Sequence, residues 1–523
     1  MTLRMKLFSR SFAALLFSLP FAFLTFASTA WTQEAAAQSA ETIFRAGFAE
    51  RDVTPEIGME QPGGYGKSYH RTLHDPCKVR ASVFDDGTTR VAVVGIDALG
   101  IRRDTVEKVR QEIESRCGIP AGNVLISASH SHSSGPLLGV LPGEFDHASP
   151  LVQRLAYQES TAIDLDYLTK VEKALVDAVV AADAGKTDAL AGVGYGIESE
   201  VAFNRRFRVR DGRTITHPGL GNPDIVEPAG PVDPQVGVIG AWNEDGKMLG
   251  CIVNFACHAT TSPGGISANY IHWIEKVLQG YYGPDCVVVF LPGASGDVTQ
   301  VDNRSPYANP KPEVWAERVG GRVGAEALKV LLSMERGRLV PVASASKVWQ
   351  IERRAPAKQK IEDALKIIQS DPAGIDPTVR TFAKETLMLD AILAREGERS
   401  VTVEVQALQI GPAVFVSDPA EYFCRYGLEI KQGSGFPYTF PVSLANGCVG
   451  YVPTKEAFAA DGGGYETRLT GYSNLRIDAG DQFRDVGIEL AKTLTPGAAP
   501  EPPARPPFGG TPWGYGNAAP EIE

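Results

Sequence analysis

Asn123-Val-Leu-Ile-Ser-Ala-Ser-His130-Ser-His132-Ser-Ser-Gly-Pro136 reads as a strand running out into a loop. Val124 to Ala128 is apolar and partly β-branched, the composition of a buried strand, and Gly135-Pro136 ends regular structure. On an extended chain, residues two apart point to the same side. His130 and His132 therefore aim into one pocket. Histidines spaced in this way at a strand end suit a metal ligand and a neighbouring acid/base group. The spacing alone leaves open a second reading, two polar loop residues with no shared task.

Working outward, a first strand is expected over 44–53, closed by Asp52-Val-Thr-Pro55 and the glycine-rich Pro62-Gly-Gly-Tyr-Gly66. Strands over 79–84 and 89–96 form a hairpin around Asp85-Asp-Gly87. The segment 104–117 has helical spacing, with Val106, Val109 and Ile113 on one face. Beyond the histidines, helices are expected over 167–182, 270–282, 315–332, 358–368, 379–393 and 422–431. Strands are expected over 191–201, 236–242, 249–255, 286–291, 342–351, 401–410, 413–416 and 439–444. This alternation predicts a mixed α/β fold, central mixed sheets flanked by helices, with the site at strand ends. The polar, glycine- and proline-rich stretch 214–232 reads as a long functional or mobile loop. Gly192-Val-Gly-Tyr-Gly196 lies in the wrong context for a dinucleotide site, and there is no internal repeat.

The chain has 523 residues, 43% hydrophobic and 22% charged, which suits a globular protein with a large core. A net charge of −11 argues against nucleic acid or an anionic membrane surface as the partner. Arg4, Lys6 and Arg10 precede an apolar run over 12–27, and Ser28-Thr-Ala30 and Ala35-Ala-Ala37 offer small-residue cleavage sites. Residues 1–30 read as a signal peptide and 31–43 as a linker, so the expected location is periplasmic or extracellular; the alternative is an uncleaved anchor. Seven cysteines without a CxxC pair allow one or two disulfides and leave at least one thiol. From 496 the chain is rich in proline and glycine and reads as a disordered tail.

One pattern recurs. An apolar strand ends in a polar cluster beside Gly or Pro at His130/His132, at His258, at Asp297/Thr299 and at Glu421. Ligand sites collect where such ends converge. Two histidines and a carboxylate arriving this way make a zinc set, and a catalytic zinc keeps one position open for water. Taken singly, His258 reads equally as a satisfied core histidine and Glu421 as a helix N-terminal acid. Taken together these readings weaken, because three of only eight histidines fall at these points. GxSxG, HExxH and P-loop patterns are absent from the sequence.

The motifs Ser129-His-Ser-His132, Asn254-Phe-Ala-Cys-His258-Ala-Thr, Gly296-Asp-Val-Thr299, Pro419-Ala-Glu421 and Tyr451-Val-Pro-Thr454 occur in this order. In that order the set resembles the motifs of the neutral/alkaline (non-lysosomal) ceramidase family, over 44–495. The resemblance implies one catalytic zinc held by His130, His258, Glu421 and Tyr451. It implies that His132, Arg205, Thr299 and Tyr465 assist catalysis. Asp297, in its glycine-rich turn, reads either as the acceptor behind a ligand histidine or as simple turn chemistry. It implies an exported zinc-dependent amidohydrolase that cleaves the amide of an N-acyl sphingosine (ceramide) or related N-acyl lipid, with peripheral contact to lipid surfaces. The rivals are a zinc hydrolase of the same fold acting on another amide or ester, and an exported binding protein that kept the scaffold. Three departures stand out: the HxH motif is one residue longer, Thr299 replaces a serine, and Gly462-Gly-Gly464 is inserted before Tyr465. No immunoglobulin-like domain is expected after 495.

Overall fold

Strand Val124–Ala128 forms one edge of an eight-stranded sheet, and Val287–Pro292 forms the other. The computed structural model describes residues 42–307, 310–395, 397–511, 513–516 and 518–523; the expected leader lies outside the described residues. The sheet consists of two four-stranded halves. One contains Arg45–Asp52, Lys78–Asp85, Arg90–Ile96 and Val124–Ala128; the other contains Thr187–Ile197, Gln235–Asn243, Met248–Phe255 and Val287–Pro292. They join through two residue pairs only, Arg45 with Asp188 and Ala46 with Thr187. Each half ends in a parallel pair, Arg90–Ile96 with Val124–Ala128 and Met248–Phe255 with Val287–Pro292.

So short a junction lets the halves fold over one another. A Cβ on Gly95 would lie 2.5 Å from the Phe290 carbonyl oxygen, so the two edge regions touch. Period-two patterning follows from this layering. Val124, Ile126 and Ala128 face the helices Arg103–Cys117 and Leu165–Ala184, while Leu125 faces inward. Val288 and Phe290 face the helices Tyr270–Tyr282 and Pro312–Ser333, while Val287, Val289 and Leu291 join Leu125 inside. Each fully buried aliphatic side chain contributes about 1.5–3 kcal/mol, so this shared inner layer holds the two strand ends together.

A second sheet, in the order Val342–Glu352, Ser400–Ile410, Ala413–Ser417, Tyr438–Val442, closes the same inner layer with Leu408, Ile410, Phe415 and Phe440. Its other face carries the helices Cys424–Gly433 and Ala479–Thr493. Helices Lys358–Gln369 and Pro377–Ala394 are inserted between its first two strands and pack against Pro150–Tyr157. The expected fold class is therefore the observed one.

Some elements differ from expectation. The stretch 214–232 is not one loop: Arg206–Val209, Thr214–Thr216 and Ile225–Pro228 form a three-stranded sheet. Helices Pro150–Tyr157 and Ala479–Thr493 were not expected. The glycines of 192–196 serve close packing, since a Cβ on Gly192 or Gly196 would lie 2.5 Å from Met334 Sδ or 2.0 Å from Glu326 Oε1. All seven cysteines are free thiols in this structure. No described helix is long and apolar enough to cross a membrane.

Candidate metal centre

Three strand ends deliver the site. His130 lies two residues past Val124–Ala128, in the left-handed region at φ 65°. Non-glycine residues held there are strained, and such strain clusters at functional positions. His258 follows Met248–Phe255 from the other half of the large sheet. Glu421 follows Ala413–Ser417 of the second sheet and pairs in register with Tyr451 across a two-residue parallel ladder. Sequence order places these groups far apart; the folded-over sheet brings them to one point.

Glu421 Oε2 lies 3.2 Å from His130 Nε2 and 3.3 Å from His258 Nε2. One ligand atom from each of the three residues falls within 4.8 Å of the others. The Tyr451 hydroxyl is 3.4 Å from His258 Nε2. The opposite ring nitrogens face backbone carbonyls, His130 Nδ1 to Leu99 O at 2.8 Å and His258 Nδ1 to Ser295 O at 2.6 Å. A carbonyl only accepts, so each Nδ1 carries the proton and each neutral ring turns an Nε2 lone pair toward the carboxylate. Three acceptors thus converge. A divalent cation resolves that arrangement, and imidazole nitrogen with carboxylate oxygen is a zinc donor set.

Electrostatics agree with this reading. Burial, with Arg205 and His130 nearby, pushes His258 down to about 3, which keeps the ring neutral. Burial alone would raise the Glu421 carboxyl, but His130 and His258 hold it well below the usual carboxylate range. The carboxylate is therefore ionised and ready to bind a cation.

His132 Nε2 lies 3.3 Å from His130 Nε2, with the rings perpendicular. Gln61 donates to the His132 carbonyl at 2.8 Å, and Gly63 sits so close that a Cβ would fall 2.4 Å from His132 Nδ1. Burial and the neighbouring histidines push His132 well below its ordinary value, leaving it neutral. The Tyr465 hydroxyl is 2.9 Å from the Tyr451 hydroxyl. Arg205 lies beneath both rings, 5.5 and 5.1 Å from their centroids, and donates to Gly296 O at 2.7 Å and to the Tyr451 hydroxyl at 3.2 Å.

Sequence reasoning missed Glu466. It is fully buried and accepts from Arg205 Nε at 2.9 Å and from the Thr216 hydroxyl at 2.8 Å. Its neighbour Tyr465 was the only local signal. Thr299 is buried, and its hydroxyl accepts the Val301 N–H at 3.2 Å. Asp297 does not back a ligand histidine, because backbone carbonyls occupy both Nδ1 positions. It accepts from Cys424 N at 2.8 Å and from Asn204 Nδ2 at 2.8 Å, fixing the Gly296 turn against the Glu421 strand. A surface cleft of about 490 Å³ is lined by Arg208, Glu227, Gly230 and Arg425 and includes none of the metal-site residues, so it carries no argument about the site.

No family model matches the chain. The neutral ceramidase of Pseudomonas aeruginosa is 23% identical to it, over 88% of this chain and 74% of that protein. A solved structure described as a ceramidase complexed with C2 shares the fold with a TM-score of 0.63 at 18% identity, covering 88% of this chain and 78% of that one. The crystal structure of the P. aeruginosa neutral ceramidase gives the same TM-score and identity over 77% of its length. Ordered motifs, sequence and fold agree: the chain is a relative of the neutral ceramidase family.

Proposed function

We propose that the chain is an exported zinc-dependent amidohydrolase that cleaves the amide of an N-acyl sphingosine, or of a related N-acyl lipid, to fatty acid and amine. The observation that carries this reading is the convergence of two imidazole lone pairs and one ionised carboxylate on a single point. The similarity to a neutral ceramidase supports the amide as substrate. The basic, apolar N-terminus supports export.

His130, His258 and Glu421 would hold the zinc, with the Tyr451 hydroxyl beside them. Bound there, zinc lowers the pKa of water toward about 7 and polarises a carbonyl. The neutral His132 takes the proton of the attacking water and returns it to the leaving amine. The Tyr465 hydroxyl, kept protonated by burial, donates to the oxygen on which charge develops. Arg205 gives its Nε to Glu466 and its Nη2 to Gly296 and Tyr451, and its guanidinium lies against the Tyr465 ring, so it acts by fixing the two tyrosines in place. Thr299 contributes through the turn it stabilises.

Fatty-acid release from an N-acyl-sphingosine by the purified protein, with and without a zinc chelator, tests the reading. Chelator-sensitive release is expected. A protein that holds zinc and releases nothing would retain the metal site and move the substrate to another amide or ester.

A further inference from the structure

Away from the metal point, a hollow of about 280 Å³ opens where the inserted helices Lys358–Gln369 and Pro377–Ala394 meet the first turn of Pro150–Tyr157. Its volume is at the small end of the range for small-molecule sites. Its walls belong to a small core apart from the sheets: Val152 and Leu387 are members, and Ala148, Leu151 and Ala391 pack against it. Leu387, Asp390, Ala391 and Ala394 recur at helical spacing, so they line the hollow from one face of Pro377–Ala394. None of the metal-site residues lines it.

Seven of the ten lining residues are apolar, and the three polar ones, His147, Ser149 and Asp390, differ in what they have left to offer. The half-buried Asp390 carboxylate has no hydrogen bond or ion pair with any described residue. A carboxylate beside apolar walls is costly to leave without a partner. Its own helix supplies none: the last turn of Pro377–Ala394 carries no basic residue and ends in the negative pole of the helix dipole. His147 Nε2 faces the Ala391 carbonyl at 2.8 Å. A carbonyl only accepts, so Nε2 carries the proton, which leaves Nδ1 an acceptor in the neutral ring. On the facing helix Ser149 acts as the cap, its Oγ accepting the Val152 N–H at 3.4 Å. The hollow is thus an apolar wall rimmed by acceptors, with one negative charge and no described cation paired to it.

We propose that this hollow is a second ligand site, taking an amphipathic ammonium ion with its alkyl chain against Leu151, Val152, Leu365 and Leu387 and its N–H donors on Asp390. An ammonium supplies the charge that Asp390 lacks, and the chain covers apolar surface that the three helices leave open. The class of ligand follows from the lining and is independent of the amidohydrolase reading, although the amine which that reaction releases belongs to it.

Calorimetry on the full chain at neutral pH, with octylamine, octan-1-ol and octanoate as probes, tests it. Octylamine should bind at one site per chain, about tenfold more tightly than octan-1-ol, because a hydrogen bond to a charged group is the stronger one. Asp390→Asn should remove that preference. Ala394→Leu, at an exposed position on the rim, should weaken octylamine binding by narrowing the hollow. Wild type treated with a zinc chelator should bind octylamine as the zinc-loaded protein does. The proposal is overturned if octylamine shows no saturable binding, if either variant binds it as wild type does, or if chelation abolishes binding. Tighter binding of octanoate than of octylamine would also overturn it, since the first turn of Pro150–Tyr157 would then be the selecting group. Binding is read without turnover, so failure of the hydrolysis assay leaves this result interpretable on its own.

Discussion

His258 commits one nitrogen to a carbonyl and aims the other at a carboxylate, and this has a measurable cost in the metal-free protein. Its folded-state pKa falls to about 3 from the ordinary 6.5. As pH drops below 6.5 the unfolded chain takes up a proton that the folded one refuses, so stability declines, and the decline is complete near 3. Other buried groups titrate in the same window; burial, for example, lifts Asp97 to about 6. The informative quantity is therefore the difference between metal-free wild type and His258→Gln. Urea midpoints from pH 7 to pH 4 should show wild type losing stability relative to the variant, at up to about 1.4 kcal/mol per pH unit. Parallel curves would show that His258 is not held neutral. A second test falls on Glu466, whose buried carboxylate faces Arg205 at 2.9 Å. Glu466→Gln should cost about 3–5 kcal/mol, read as a lower urea midpoint, because it strands a buried guanidinium. Apart from its neighbour Tyr465, nothing near Glu466 in the chain announces this role. Its partner is 261 residues away, and sequence reading sees only local pattern.

At the scale of single elements, sequence reading did best where the signal is periodic and bounded by turns. The hairpin around Asp85-Asp-Gly87 and the strand before His130 formed as expected, because alternation and glycine punctuation are local causes. The three-stranded sheet within 206–228 was not legible, since strands of three or four residues in polar sequence carry too little pattern. Helix packing was equally hidden, and adjacent glycines in Pro312–Ser333 make it testable. A Cβ on Gly320 would lie 2.0 Å from Tyr270 O and 2.6 Å from Trp273 Cβ, whereas one on Gly321 meets nothing within 4 Å. Alanine favours a helix over glycine by about 1 kcal/mol. Gly321→Ala should therefore stabilise by up to about 1 kcal/mol, while Gly320→Ala should destabilise by about 1–3 kcal/mol as the helices Tyr270–Tyr282 and Pro312–Ser333 are pushed apart. Thermal melts of the two variants decide it. Shifts of the same sign would mean that the helix contact is looser than described.

For the whole molecule, the metal point is where three pieces of sheet meet. His130 comes from one half of the large sheet, His258 from the other half, and Glu421 from the second sheet. The motifs named these residues, but their meeting depends on a junction of only two residue pairs that lets the large sheet fold over, and no local signal encodes that. A cation at this point would tie the three pieces together, and a ligand that binds only the folded state stabilises it by mass action, by about 2.7 kcal/mol at a hundredfold excess over its Kd. Removing metal with a chelator should therefore lower Tm by several degrees, and added zinc should restore it. Hydrogen exchange should rise in the strand-end segments 129–134, 256–262 and 418–422 before it rises in Val287–Pro292 or Val124–Ala128, because the inner apolar layer holds without the ion. His258→Ala should melt at the same temperature with or without chelator. If chelation leaves wild-type Tm and exchange unchanged while zinc is shown to depart, the ion is not a tie between the sheets, and the site's geometry is set by the surrounding core alone.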